Sequence, residues 1–143
     1  MKISEILTPD PQCVSPDTTL TKAAQKMRAL DVGILPICEH DRLAGTITDR
    51  DIIVRAIAAG VDPNQTTVRA AMTPDIFFCF DDEDVEEAAQ LMEQRQVRRL
   101  PVLNRKKRLV GIVSLGDLAI RTHKERLVGE VLERVSEPAW FVD

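Results

Sequence analysis

The sequence predicts an α/β (α+β) fold in which tandem β-α-β-β-α repeats are related by pseudo-twofold symmetry. The first basis for this prediction is that residues 7–10 (LTPD) recur 65 residues later as residues 72–75 (MTPD). The second basis is that residues 43–51 (LAGTITDRD) recur as residues 109–117 (LVGIVSLGD). A copy of about 60 residues buries a core poorly by itself, so we expect both copies to fold together in one compact protein.

The first copy, residues 1–60, is predicted to contain three short strands and two helices. The strands are expected at residues 12–15, 34–38 and 43–47, and the helices at residues 20–30 and 49–59. The last two strands flank a short polar turn, which predicts a hairpin. Gly60 ends the second helix. Residues 61–66 contain Asp-Pro-Asn and form the predicted linker.

The second copy, residues 67–124, repeats this order. Its strands are expected at residues 76–80, 99–103 and 109–113, and its helices at residues 85–94 and 115–122. Residues 125–143 form a C-terminal helix and tail, with an apolar stripe followed by Trp140 and Phe141. This stripe has no counterpart in the repeat, so we expect it to pack across the subunit boundary of a homodimer.

Composition excludes several classes of function. The 143 residues are 44% hydrophobic and carry a net charge of −4, which disfavours a general nucleic-acid binder. No membrane-length apolar run and no signal peptide is visible, so we expect a cytoplasmic protein without a membrane partner. No nucleophile and base are arranged for catalysis, so we do not expect an enzyme.

The three cysteines stand at wide spacing, which is not the pattern of a disulfide framework. Cys38 and His40 are close enough in sequence to be considered as metal ligands, but no second close pair accompanies them. We therefore expect no metal and no cofactor, and we interpret the thiols as buried side chains.

The two copies share a polar turn between a strand and a helix, Thr48-x-x-Asp51 in the first and Ser114-x-x-Asp117 in the second. We call these turns the first corner and the second corner. A hydroxyl and a carboxylate at the start of a helix suit a small anionic or polyol ligand. The same spacing is typical of a capping box, which needs no ligand. Both interpretations stay open, and they are compatible.

Three marks, each present in both copies, carry a family resemblance. They are Met/Leu-Thr-Pro, an apolar strand that contains Leu-Pro, and Gly-x-x-Ser/Thr-x-x-Asp. Residues 1–124 resemble a pair of cystathionine β-synthase (CBS) domains, or Bateman module, of the stand-alone prokaryotic type. The resemblance implies a regulatory module that binds AMP, ADP, ATP or S-adenosylmethionine and signals to a protein partner that the sequence does not identify. It also implies a homodimer.

The resemblance further implies two ligand clefts. In such modules the corner Asp of one repeat binds the ribose hydroxyls. The base lies against the first strand, and against the residues before Leu-Pro, of the other repeat. Carried over, the first cleft comprises Thr48, Arg50, Asp51, Ile76, Phe77, Val97, Arg98 and Arg99. The second cleft comprises Pro11, Gln12, Val32, Gly33, Ile34, Ser114 and Asp117.

The two predicted clefts differ in charge. Arg98 and Arg99 stand where the other copy has Gly33 and Ile34, and guanidinium groups suit phosphate oxygens. We therefore expect the first cleft to take the phosphorylated ligand, and the second to take a less charged adenosyl group or to stay empty. The carboxylate of Asp49 would repel a phosphate in the first cleft unless it points away or pairs with an arginine.

Two other functions stay open on sequence grounds. The basic segment from Arg98 to Arg108 is compatible with nucleic-acid binding, although a solvated hairpin is the usual explanation of such charges. The chain is also compatible with a structural dimer that binds no ligand.

Overall fold

The computed structural model describes residues 1–138 and divides into two compact units. The first-repeat unit consists of Pro11–Ile76. The second-repeat unit consists of Met1–Asp10 together with the chain from Phe77 onward. The predicted mixed α/β fold with tandem repeats is confirmed.

The N-terminal segment belongs structurally to the second-repeat unit. It contains a 3-10 turn at Ile3–Glu5 and a short strand, β1 (Thr8–Pro9). The backbone N–H of Ile3 donates to the carbonyl of Glu83 at 2.9 Å, and the Ile3 side chain is fully buried. The apolar side chains of this turn therefore help to form a core that lies about 80 residues further along the chain.

The first-repeat unit is built around one helix and one hairpin. Its elements are α1 (Leu20–Leu30), β2 (Ile34–Glu39), β3 (Arg42–Thr48), α2 (Asp49–Asp51), which continues as π-helical turns over Ile52–Ile57, and a 3-10 turn at Val68–Ala70. Strands β2 and β3 pair antiparallel, with Ile34 opposite Thr48, as the predicted hairpin requires. The strand predicted at residues 12–15 is reduced to a single parallel bridge between Val14 and Ile37.

The second-repeat unit contains a four-stranded sheet in the order β1-β6-β5-β4. Its further elements are β4 (Cys79–Phe80), α3 (Val85–Arg95), β5 (Arg99–Leu103), β6 (Leu109–Ser114), α4 (Leu115–Arg121) and α5 (Glu125–Ser136). Strand β5 has the predicted bounds, whereas the strand predicted at residues 76–80 is shortened to β4. Strand β4 runs parallel to β5, and β6 runs antiparallel to it.

The glycine of each repeated motif allows a neighbouring backbone to come close. A Cβ atom on Gly45 would stand 2.5 Å from the carbonyl oxygen of Thr73. A Cβ atom on Gly111 would stand 2.7 Å from the carbonyl oxygen of Thr8. Real side chains do not tolerate such contacts, so any larger residue would push the Thr-Pro segment away from the hairpin.

Helix α5 corrects part of one expectation. Its apolar stripe lies in the core of the second-repeat unit, where Val131 is fully buried and Leu127, Val128 and Val135 pack around it. Val131 is therefore not available for a subunit boundary, whereas Leu127, Val128 and Val135 are only half-buried and Leu132 is 47% exposed, so packing across a homodimer boundary stays a prediction. Trp140 and Phe141, which were included in that expectation, lie outside the described residues. None of the helices in residues 1–138 combines the length and hydropathy that a bilayer span needs.

Candidate functional site

The first corner is a complete capping box. Thr48 ends β3 in an extended conformation, and its Oγ1 accepts a hydrogen bond from the backbone N–H of Asp51 at 3.0 Å. In return, Oδ2 of Asp51 accepts from the backbone N–H of Thr48, also at 3.0 Å. The reciprocal bonds fix the direction of the carboxylate and satisfy two backbone donors at the helix start.

The second corner has the same geometry. Ser114 Oγ accepts from the backbone N–H of Asp117 at 2.9 Å, and Asp117 Oδ2 accepts from the N–H of Ser114 at 2.9 Å. The capping-box interpretation is therefore confirmed in both units. It occupies one oxygen of each carboxylate, and the second oxygen retains its own lone pairs for a further donor.

The second carboxylate oxygen differs between the corners. Oδ1 of Asp51 faces the Nε of Arg55 at 3.8 Å, and the Asp51 side chain is only 14% exposed. Arg55 also donates from Nη1 to the carbonyl of Met72 at 3.2 Å, which holds its guanidinium near the corner. Within residues 1–138, no such ion pair involves Asp117. The sequence analysis missed Arg55, whose i,i+4 spacing from Asp51 was the available signal.

The segment before Leu35-Pro36 lies beside the first corner. The carbonyl of Gly33 accepts from the backbone N–H of Asp49 at 3.0 Å, and Ile34 stands opposite Thr48 in the hairpin. Val32 is 41% exposed. The first-repeat unit thus brings together residues that the sequence analysis placed in different clefts.

The same relationship holds in the second-repeat unit. The carbonyl of Arg98 accepts from the backbone N–H of Leu115 at 2.8 Å, and Arg99 stands opposite Ser114. Both arginines are exposed. The two arginines that we predicted to bind phosphate therefore have their backbone beside the second corner, within their own unit. The assignment of each corner to the other repeat's Leu-Pro segment stays a prediction.

Asp49 neither points freely away nor forms an ion pair within residues 1–138. Its Oδ1 accepts the backbone N–H of Arg50 at 2.8 Å, and its carboxylate lies against Gly33. The extra negative charge therefore sits beside the first corner. The Arg50 side chain is exposed.

The predicted base-contacting residues are unevenly exposed. In the first-repeat unit, Gln12 and Ile76 are exposed and Pro11 is half-buried. In the second-repeat unit, Val97 is half-buried against the core, and so is Phe77. The guanidinium of Arg95 lies 4.5 Å from the centre of the Phe77 ring. This cation–π contact occupies one face of the ring, and the sequence analysis did not anticipate it.

The basic turn before β6 is partly neutralised. Arg105 forms an ion pair with Asp82 at 2.8 Å, and its guanidinium lies 4.0 Å from the centre of the Phe80 ring. The Arg105 guanidinium in turn holds the pKa of the Asp82 carboxyl below its usual range. These contacts favour a structural role for Arg105 over a nucleic-acid contact.

A sequence model of the CBS domain matches residues 3–57 and 68–124. The chain belongs to the CBS domain family. As a pair of CBS domains, it is similar to "Hypoxic response protein 1" of Mycobacterium tuberculosis, with 42% identity over 127 residues, covering 88% of this chain and 87% of that protein.

Two solved structures of CBS proteins are informative. A crystal structure of Hypoxic Response Protein I with two coordinated zinc ions is 42% identical, with a TM-score of 0.78 and coverage of 85% of this chain and 98% of that chain. The CBS domain pair of protein MJ0100, solved in complex with 5'-methylthioadenosine and S-adenosyl-L-methionine, is 29% identical. Its TM-score is 0.74, and the match covers 91% of this chain and 97% of that chain.

The zinc-containing relative corrects the expectation of no cofactor. We expected neither metal nor cofactor from the sequence, and a similar CBS protein that holds two coordinated zinc ions overturns that expectation. Within residues 1–138, no three His, Cys, Asp or Glu side chains are grouped closely enough to hold a metal ion. The cytoplasmic location stays a prediction.

Proposed function

We propose that this CBS domain pair is a non-enzymatic regulatory module that binds an adenosine-containing ligand, either AMP, ADP, ATP or S-adenosylmethionine. The observation that carries the proposal is the MJ0100 CBS domain pair, which is 29% identical to this chain and was solved with two adenosyl compounds. Ligand binding would shift the arrangement of the repeats and thereby change the surface offered to a partner protein, as far as its affinity for the two arrangements differs.

The chemistry of the corners supports the proposal. A ribose presents two hydroxyl donors, and a carboxylate accepts hydrogen bonds with both oxygens. Asp51 and Asp117 each use Oδ2 in the capping box, so Oδ1 is the atom proposed to accept from the ribose. A carboxylate that is already held in place loses little side-chain entropy when a ligand binds.

The phosphorylated ligand is assigned through Arg98 and Arg99. Our proposal places them with Asp51 in the first cleft, where their guanidinium groups would bind phosphate oxygens. Their position beside Ser114 makes the second corner the competing assignment. A pair of single variants separates these assignments, because each removes only one of the two ribose acceptors.

The test is isothermal titration calorimetry of Asp51→Asn and Asp117→Asn with ATP and with S-adenosylmethionine. Asparagine retains an oxygen for the capping bond and loses the charge. We expect Asp51→Asn to weaken ATP binding by about tenfold or more, because a hydrogen bond to a charged group contributes about 1.5–3 kcal/mol. Asp49→Asn is the matched control and should not weaken it.

Two outcomes would contradict parts of the proposal. If ATP binding is lost in Asp117→Asn and unchanged in Asp51→Asn, the phosphorylated ligand belongs to the second corner. If neither variant changes the binding of any adenosyl compound, or if the wild-type protein binds none, the sensor function is wrong. An oligonucleotide titrated at two salt concentrations tests the nucleic-acid alternative, since phosphate contacts produce a steep salt dependence.

The homodimer is also part of the proposal. Ile53, Val54 and Ile57 are 58%, 53% and 47% exposed on the π-helical segment, which is unusual for three large apolar side chains on one short stretch. Self-association would remove them from water. We expect light scattering to give the mass of a dimer for the wild type and of a monomer for Ile53→Glu/Ile57→Glu. A wild-type monomer would contradict the assignment.

A further inference from the structure

Two cysteines that are 25 positions apart in the chain meet in the first-repeat unit. The Sγ atoms of Cys13 and Cys38 are 3.1 Å apart, with the Cys38 thiol as donor, and both side chains are half-buried. From the sequence we interpreted the cysteines as buried thiols, whereas these two are only half-buried. A disulfide bond is about 2.05 Å long, so the sulfur atoms need to approach by only about 1 Å to form one.

The backbone keeps the two cysteines together. The N–H of Val14 donates to the carbonyl of Pro36 at 3.0 Å, and the N–H of Cys38 donates to the carbonyl of Val14 at 2.9 Å. These two bonds form the parallel bridge between the segment before α1 and strand β2. The bridge fixes the backbone beside both cysteines, and their side-chain conformations bring the two sulfur atoms to 3.1 Å.

The surroundings favour a thiolate on Cys13. Hydrogen bonding from Cys38 lowers the pKa of the Cys13 thiol to about 7, burial opposes this change, and the ammonium of Lys26 supports it. Lys26 is held nearby because its Nζ donates to the carbonyl of Cys13 at 3.3 Å. The negative charge of Asp41 raises the pKa of Cys13. The pKa of Cys38 is raised, because its thiol donates to Cys13 and is partly buried.

We propose that Cys13 and Cys38 are a modification site at which a reversible intramolecular disulfide forms. The oxidant is a low-molecular-weight disulfide. The Cys13 thiolate attacks one of its sulfur atoms and releases one small thiolate, which takes up a proton. The Cys38 thiol then loses its proton and attacks the Cys13 sulfur, releasing the second small thiol. The two protein thiols lose two protons and two electrons in total, and the small disulfide is reduced to two thiols.

Cys79 serves as a built-in control. It is 3% exposed, and burial, followed by the charges of Glu83 and Glu87, raises its pKa to about 12. Its thiol faces the carbonyl of Pro101. A buried, protonated thiol reacts slowly with a small disulfide, so Cys79 should remain reduced while the other two cysteines are oxidised.

The test uses the full chain, reduced, freed of metal with EDTA and then incubated with oxidised glutathione. The products are denatured, alkylated with iodoacetamide and analysed by mass spectrometry. We expect an intramolecular disulfide between Cys13 and Cys38, about 2 Da below the reduced mass before alkylation, with Cys79 alkylated. Dithiothreitol should restore three alkylated cysteines. Three alkylated cysteines after oxidation, or a disulfide between chains, would overturn the proposal.

Three variants test which cysteine attacks the small disulfide and which one resolves the mixed disulfide. Cys38→Ser should accumulate a stable glutathione adduct on Cys13, because the resolving thiol is missing. Cys13→Ser should react much more slowly, since the remaining pair member is protonated. Cys79→Ser should form the disulfide like the wild type. A lasting glutathione adduct on Cys13 in the wild type would show that Cys38 does not resolve it, which would also overturn the proposal.

Discussion

The carboxylate of Asp49 lies over Gly33. A Cβ atom at residue 33 would stand 3.0 Å from Asp49 Oδ2 and 3.4 Å from Oδ1. The corresponding positions of the second repeat hold Arg98 and Leu115, and the backbone hydrogen bond between the two positions is retained. The two corners therefore share this backbone hydrogen bond, and the residues that form it differ in charge: Gly33 and Asp49 beside the first corner, Arg98 and Leu115 beside the second.

This contact predicts the cost of filling position 33. Gly33→Ala places a methyl group 3.0 Å from a carboxylate oxygen, so we expect the free energy of unfolding to fall by about 1 kcal/mol. The added substitution Asp49→Ala should recover the loss, because it removes the atoms in contact. Urea unfolding of the single and double variants checks both. If Gly33→Ala lowers the free energy of unfolding by the same amount in the wild type and in Asp49→Ala, the result contradicts the contact.

The close approach at Gly45 predicts a larger effect. Gly45→Ala should lower the free energy of unfolding by roughly 2–4 kcal/mol, since a backbone carbonyl cannot move aside as a flexible side chain can. Gly129→Ala is the matched control. Nothing lies within 4 Å of its Cβ position in α5, so helix propensity should raise the stability by up to about 1 kcal/mol. Equal effects at the two glycines would contradict the interpretation.

The capping box predicts a difference between two substitutions of one residue. Asp51→Ala removes the acceptor for the Thr48 N–H, so we expect it to cost about 1 kcal/mol of stability. Asp51→Asn retains an oxygen and should cost clearly less. Thermal unfolding without ligand measures both. If alanine and asparagine cost the same, the carboxylate bond to the backbone contributes nothing to stability.

The lowered pKa of Cys13 predicts how its reactivity depends on pH. The thiolate is the reactive form, so the rate of Cys13 alkylation should rise with pH and reach half of its maximum near pH 7. Cys38→Ala removes the main cause of the low pKa and should shift this midpoint upward. Lys26→Met should shift it upward by less. Iodoacetamide kinetics from pH 5 to about pH 10, followed by peptide mass spectrometry, measure the midpoint. An unchanged midpoint in Cys38→Ala would contradict the assignment.

The repeat architecture was predictable because its signals are local. The hairpin of β2 and β3 and the bounds of β5 follow from apolar runs and turns within a few residues. The capping boxes follow from a spacing of three residues. The strand predicted at residues 12–15 is not formed, because within residues 1–138 this segment pairs only through the bridge between Val14 and Ile37.

Part of the site could not be predicted, because the contacts that define it are not local in sequence. The structure shows Arg99 opposite Ser114 in its own unit, and its assignment to the cleft of Asp51 stays a prediction. The sequence holds no signal for the partner of an exposed arginine. Arg55 had such a signal in its spacing from Asp51, but only the fold decides that its guanidinium also meets the carbonyl of Met72.

By itself, the sequence determined the doubled unit, its long helices and hairpin strands, and the two capped corners, because hydrogen bonds and burial within a short stretch leave a periodic pattern. The tertiary structure alone decided that Ile3 lies in the core of the second-repeat unit and that Cys13 meets Cys38. Those contacts join residues that are distant in the sequence. The free energy that brings such residues together comes from burial of a whole core, so no single motif predicts them.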